Sequence, residues 1–157
     1  MFRYLLILVV IIPLAGSCQE SIGKSKDIVK AELETWKKAN AGSYPTVTEI
    51  GSNTTLSIKD PGYGQVKFIY TFDKSKTCIR VKTVALTDSA RNNYLNNMLE
   101  KKEYEWVKLN GNQYISKFSD KLMIELPGDP KNHSVTVYRA EWNQEIYNML
   151  LNKYSIF

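Results

Sequence analysis

The stretch at residues 66–73 sets the terms for any fold of this chain. Val66, Phe68, Tyr70 and Phe72 alternate with Lys67, Ile69, Thr71 and Asp73, and a period of two is what a strand with one buried face writes into a sequence. Such a strand cannot stand alone. Its N–H and C=O groups need neighbouring strands, and its apolar face needs a cover.

The rest of the chain is read for both. The turn at 73–76 returns the chain through a strand at 77–86, and a shorter strand at 55–59 comes first, set off by Asp60-Pro61-Gly62-Tyr63-Gly64. Before these, Val29, Leu33, Trp36 and Asn40 recur at spacings of three and four, which predicts a helix over 27–40 that ends at Gly42 and Pro45. The second half opens on Thr87-Asp88-Ser89, side chains that cap helix N-termini, and Tyr94, Leu95, Met98 and Leu99 give a helix over 88–102 its apolar face. Strands at 103–109 and 113–118 flank Asn110-Gly111, where a type I′ turn is expected. Strands at 122–126 and 134–140 follow, joined by Pro127-Gly128-Asp129-Pro130. A closing helix over 141–154 presents Trp142, Ile146, Met149 and Leu150 to a sheet face.

The order α-βββ-α-ββββ-α predicts an α+β domain, antiparallel sheet meanders with about three packed helices. The halves that begin at Asp27 and Asp88 each run helix then meander, without a residue-level repeat. This order resembles lipoprotein and inhibitor domains built from tandem helix-plus-sheet units; the resemblance is one of architecture and fixes no function.

Residues 1–17 stand apart. Arg3, the apolar run at 5–14 and the small residues Ala15, Gly16 and Ser17 make up the three parts of a secretory signal peptide. At about ten to twelve continuous apolar residues the run falls short of the roughly twenty that a spanning helix needs, and Pro13 closes it. The stretch Leu14-Ala15-Gly16-Ser17-Cys18 resembles a bacterial lipobox, with the large apolar residue one position further from the cysteine than usual. The resemblance implies a diacylglycerol on the Cys18 sulfur, an amide-linked acyl chain such as palmitate on the new N-terminus, and a membrane reached through the lipid. Gln19 in place of Asp points to the outer membrane. Without lipid, cleavage before the same residue gives a soluble periplasmic or secreted protein. Either way residues 18–26 are expected as a short polar tether and 27–157 as a single α+β domain.

The formal charge of +5 is modest, and Arg3 leaves with the signal. The surplus is too small and dispersed for nucleic acid. Cys18 and Cys78 are the only cysteines. A bridge between them would close a soluble secreted domain, whereas acylation of Cys18 leaves Cys78 as a small buried apolar side chain. No cysteine–histidine cluster is present, so neither a metal nor a cofactor is expected. Three residues could carry an envelope hydrolase, the alternative class: His133, the one histidine, and Glu103 with Glu105, whose spacing would set two carboxylates on one strand face as in glycoside hydrolysis. Solvated side chains are the preferred reading of all three, and no catalytic residue is assigned. The ten tyrosines and three tryptophans are mostly core. Tyr70 and Trp106, interleaved with Lys67, Arg80 and Lys82, would instead form a cationic, aromatic patch suited to sugar or anionic lipid, and an envelope protein or glycan is the expected partner of the domain. The expected function is a membrane-anchored cell-envelope lipoprotein with a non-catalytic binding or inhibitor-like domain.

Overall fold

A computed structural model describes residues 18–60 and 62–154, so the signal segment lies outside the described residues. A helical turn, α1 (Cys18–Ser21), leads into α2 (Lys26–Ala39), then β1 (Thr46–Ile50), β2 (Asn53–Asp60), β3 (Gly64–Phe72) and β4 (Cys78–Val84). After α3 (Asp88–Leu99) come β5 (Val107–Asn110), β6 (Gln113–Ile115), β7 (Leu122–Glu125), β8 (Ser134–Arg139) and α4 (Gln144–Tyr154). All eight strands join one antiparallel sheet in the order β1-β2-β3-β4-β8-β7-β6-β5. The α+β class and element order are those the sequence predicts, with β1 as an additional edge strand.

The strand order folds back on itself because the two halves are built alike. Ser25 caps α2 by accepting from the Ile28 N–H at 3.4 Å, and Thr87 caps α3 by accepting from Ala90 at 3.2 Å. Each helix is followed by a 3-10 turn, Ala41–Ser43 or Lys102–Tyr104, and then by one left-handed residue that is not glycine, Tyr44 (φ 47°) or Glu105 (φ 49°). An edge strand, a tight turn and three further strands complete each half. The halves meet where β4 pairs with β8, with Val81 opposite Val137, Arg80 opposite Tyr138 and Lys82 opposite Thr136. This register fits a two-fold axis through the Val81–Val137 pair, which would exchange the Arg80–Tyr138 pair with the Thr136–Lys82 pair.

Alternation along the strands sends the two faces of the sheet to different cores. Leu56, Val66, Phe68, Tyr70, Val81, Ile124, Val135 and Val137 are buried on one face beneath Val29 and Leu33 of α2 and Tyr94, Leu95 and Met98 of α3. Phe68 meets Tyr94 edge to face, ring centroids 5.6 Å apart. Burying one such side chain contributes about 1.5–3 kcal/mol. On the other face a smaller cluster joins Leu109, Ile115, Met123 and Phe118 to Trp142, Tyr147, Leu150 and Leu151 at α4. That cover reaches only the β5–β6–β7 end.

Four local expectations are corrected. The lead at 18–26 is docked on the domain in this structure rather than extended: Gly23 N–H donates to Cys78 O, Cys78 N–H donates to Lys24 O, and Lys26 N–H donates to Lys76 O, each at 2.8 Å, because the start of β4 offers unpaired backbone groups. Ile146 and Met149 are 45% and 67% exposed rather than packed on the sheet. The Tyr147 hydroxyl, donating to Ser116 O at 3.1 Å, sets the phase of α4. The β5–β6 hairpin turns through Gly111 and Asn112 between the paired Asn110 and Gln113. None of these has positive φ, so the turn is not type I′. Asn110 Oδ1 instead accepts from the Asn112 N–H at 2.8 Å. Finally, residues 103–106 are not strand, since the 3-10 turn and the left-handed Glu105 delay β5 to Val107.

Glu49 of β1 ties that edge to α2 through Lys26 at 2.8 Å and Lys30 at 2.5 Å. These hydrogen bonds hold its carboxyl down at about 2, against 4.5 for the free group. A depressed carboxyl stabilises fully above its unfolded pKa and loses that contribution as pH falls through the folded one. Urea midpoints for the Glu49→Gln variant should therefore fall less steeply than wild type between pH 4.5 and pH 2 and follow the same slope above it.

Candidate binding face of the sheet

Two-residue alternation carries Lys67 of β3 and Arg80 and Lys82 of β4 to the face away from α2 and α3. Register then makes them neighbours: Lys67 lies opposite Val84, Lys82 opposite Ile69, and Arg80 opposite Thr71. Arg80 and Lys82 are two residues apart on one strand, about 7 Å. Among the described residues none of the three forms an ion pair with a carboxylate. Like charges gathered without counterions raise the local positive potential, which favours an anionic partner.

The surroundings are mixed. Ile69 and Val84 lie directly beside Lys82 and Lys67, Thr55 and Ser57 of β2, Thr71 of β3, and Thr136 of β8 with Glu125 beyond it share the same face, and Thr71 donates to Asn53 Oδ1 at 2.9 Å. Lys59, exposed on β2 beside Gln65, extends the cationic row. Tyr138, opposite Arg80, donates to Met123 Sδ at 3.0 Å; burial and Glu125 push its phenol up while Arg80 opposes them. Lys59 and Tyr138 were not named as site residues from the sequence. Their parity was readable, but their neighbours depend on strand order.

The other candidates lie elsewhere. Tyr70 is 1% exposed on the helix-covered face. It lines a largely apolar groove of about 440 Å³ beside α2, with Val29, Leu33, Trp36 and Ala39. Trp106 packs beside the main core, its Nε1–H donating to Met98 O at 3.1 Å. Neither ring therefore joins Lys67, Arg80 and Lys82.

The hydrolase candidates are separated as well. Glu103 sits in the 3-10 turn and the left-handed Glu105 pairs with Lys117 at 3.6 Å, so they share no strand face. His133 Nδ1 meets Asp88 Oδ1 at 3.1 Å, which supplies an orienting carboxylate, but Asp88 also binds Arg91 at 2.8 Å. Among the described residues no hydroxyl or thiol is hydrogen bonded to the imidazole. The trio ties the start of α3 to the loop before β8. No group of three or more His, Cys, Asp or Glu among the described residues could hold a metal ion. No helix there is long and apolar enough to cross a membrane.

Cys18 is fully buried, with its Sγ 4.0 Å from Thr83 Oγ1. Burial pushes its thiol up to about 12 and that of Cys78 up to about 11. No disulfide joins Cys18 and Cys78 in the structure. The adjoining Gln19 donates to Met98 O at 2.9 Å, but its Oε1 is buried with no partner among the described residues. An unmet buried acceptor costs about 1–3 kcal/mol. That makes α1 a comparatively cheap piece of the core to release.

Because Lys67, Arg80 and Lys82 support no structural contact of this kind, replacing all three by alanine should change folding stability by no more than about 0.5 kcal/mol per site. Urea unfolding of the triple variant measures it. No protein-family model, curated protein or solved structure matches this chain.

Proposed function

We propose that the chain is a cell-envelope lipoprotein whose uncovered half-sheet binds an anionic partner in the envelope without catalysis. The observation that carries the binding half is the one-sided cover. Helices close one face of the sheet, α4 closes only an end of the other, and what stays open bears Lys67, Arg80 and Lys82 among hydroxyl side chains. An open sheet face of cations, hydroxyls and the apolar Ile69 and Val84 suits a protein surface or glycan better than it suits a small substrate, which needs a concave, water-excluding site.

The anchoring half rests on the lipobox-like Leu14 to Cys18 and must accommodate the burial of Cys18. A diacylglycerol has no room on a sulfur with no exposed surface. Acylation therefore takes the residue before it docks, and the anchored form carries α1 outside the core. Residues 18–24 become the tether in that form. The cost is the loss of the Cys18 and Gln19 contacts, partly offset by solvating Gln19 Oε1. Several acyl chains give stable attachment, since each buried methylene contributes about 0.8 kcal/mol.

Intact mass of the mature protein from its native host tests the anchor. A chain beginning at Cys18 with added acyl mass, unchanged by reductant, is expected. A chain without lipid, lighter before reduction by the hydrogens of a Cys18–Cys78 bridge, would replace it with the soluble secreted domain. For the binding face, a photo-crosslinking residue at Thr136 should yield a discrete adduct in living envelopes where the same probe at Lys38 of α2 yields none. Equal labelling at both positions, or at neither, would rule out the open face as the binding surface.

A further inference from the structure

The two ends of the sheet are equivalent in the fold and are treated differently. At the β5 end the strand is four residues long, breaks register between Lys108 and Asn110, carries an exposed lysine and packs on α4. These are the devices that keep a sheet edge from pairing with another chain. The β1 end has fewer of them: no bulge breaks its register, it lies outside the cluster at α4, and its one charge, Glu49, is held by Lys26 and Lys30 of α2. Thr46, Val47, Thr48, Glu49 and Ile50 pair with β2 without a bulge, four of the five are exposed, and Ile50 is 79% exposed.

The hairpin decides which backbone groups this edge offers. Ile50 and Asn53 flank a two-residue turn at Gly51 and Ser52, so they are the hydrogen-bonded pair of the hairpin, and Thr48 and Thr46 follow in the same phase. Val47 and Glu49 then turn their N–H and C=O groups outward. No other backbone or side-chain group among the described residues takes them.

We propose that β1 pairs antiparallel with β1 of a second copy of this chain, with Thr48 on the two-fold axis. That register alone satisfies all four outward groups on each strand: Val47 exchanges both hydrogen bonds with Glu49 of the second copy, and Glu49 with its Val47. Centring on Glu49 would oppose two carboxylates, and centring on Val47 would bring Pro45, which has no N–H, opposite Glu49. In the Thr48 register, Thr48 faces Thr48 and Thr46 faces Ile50 on the open side, cross-strand pairs of β-branched residues that suit a sheet. Each Glu49 keeps its own Lys26 and Lys30. Two half-sheets become one, and their cationic faces lie on the same side. The pairing does not depend on the anchor or on the identity of any envelope partner.

Cysteine scanning of the full-length protein in native envelopes tests the register. Thr48→Cys should give a disulfide-linked dimer on mild oxidation, because directly opposed residues at a non-hydrogen-bonded site lie close enough to bridge. Ile50→Cys should not, because its nearest neighbour in the second copy is Thr46. Val47→Pro removes an outward N–H without touching the β1–β2 ladder, and Thr48→Lys opposes two like charges. Both should leave the mature protein folded by circular dichroism and sedimenting as a monomer where wild type shows a concentration-dependent doubling of mass. Wild type that stays monomeric to its solubility limit, or crosslinking at Ile50 equal to that at Thr48, would overturn the proposal.

Discussion

The pairing of β4 with β8 is the contact on which the rest of the molecule depends. It joins segments far apart in the chain, Val81 to Val137, and turns two four-stranded meanders into one sheet. Phe68 and Tyr70 from one half and Ile124, Val135 and Val137 from the other belong to a single buried cluster because of it. Without the seam each half would present a central apolar strand as an edge, with its backbone groups unpaired and only one long helix for cover. Closing a loop of this length costs little more than closing a short one, since the entropy rises only logarithmically. The buried area gained across the seam is therefore the larger quantity.

Much of this was legible locally. The alternation at 66–72, the N-cap at Thr87 and the apolar faces of α2 and α3 are short-range signals, and each corresponds to an element of the structure. What failed locally failed for physical reasons. Thr46-Val47-Thr48-Glu49-Ile50 was missed although four of its five residues are β-branched, because an edge strand exposed on most of its side chains shows no apolar alternation, while Glu103-Tyr104-Glu105-Trp106 alternates like a strand yet contains a left-handed residue that no side chain announces. The phase of α4 depends on a hydroxyl reaching Ser116 from 31 residues away.

The candidate face was half legible. That Lys67 faces away from Phe68, and that Arg80 and Lys82 face together, follows from parity. That the two strands set these cations side by side follows only from their register, which slips at Thr71 and Phe72 through a bulge. Tyr70 had the opposite parity to Lys67 all along, and its assignment to the cationic patch ignored that signal. The burial of Cys18 could not be foreseen, because nothing in a polar lead of a few residues indicates that its backbone will complete the hydrogen bonding at the start of β4.

The equivalence of the halves has a consequence for symmetry. Two separate copies of one helix-and-meander unit, paired through their last strands about a two-fold axis, would build the same eight-stranded sheet as a homodimer. In the single chain the two units need not be identical: one half ends in a helix that covers part of its second face, while the other leaves that face open around Lys67, Arg80 and Lys82. A surface that such a dimer would present twice is therefore presented once.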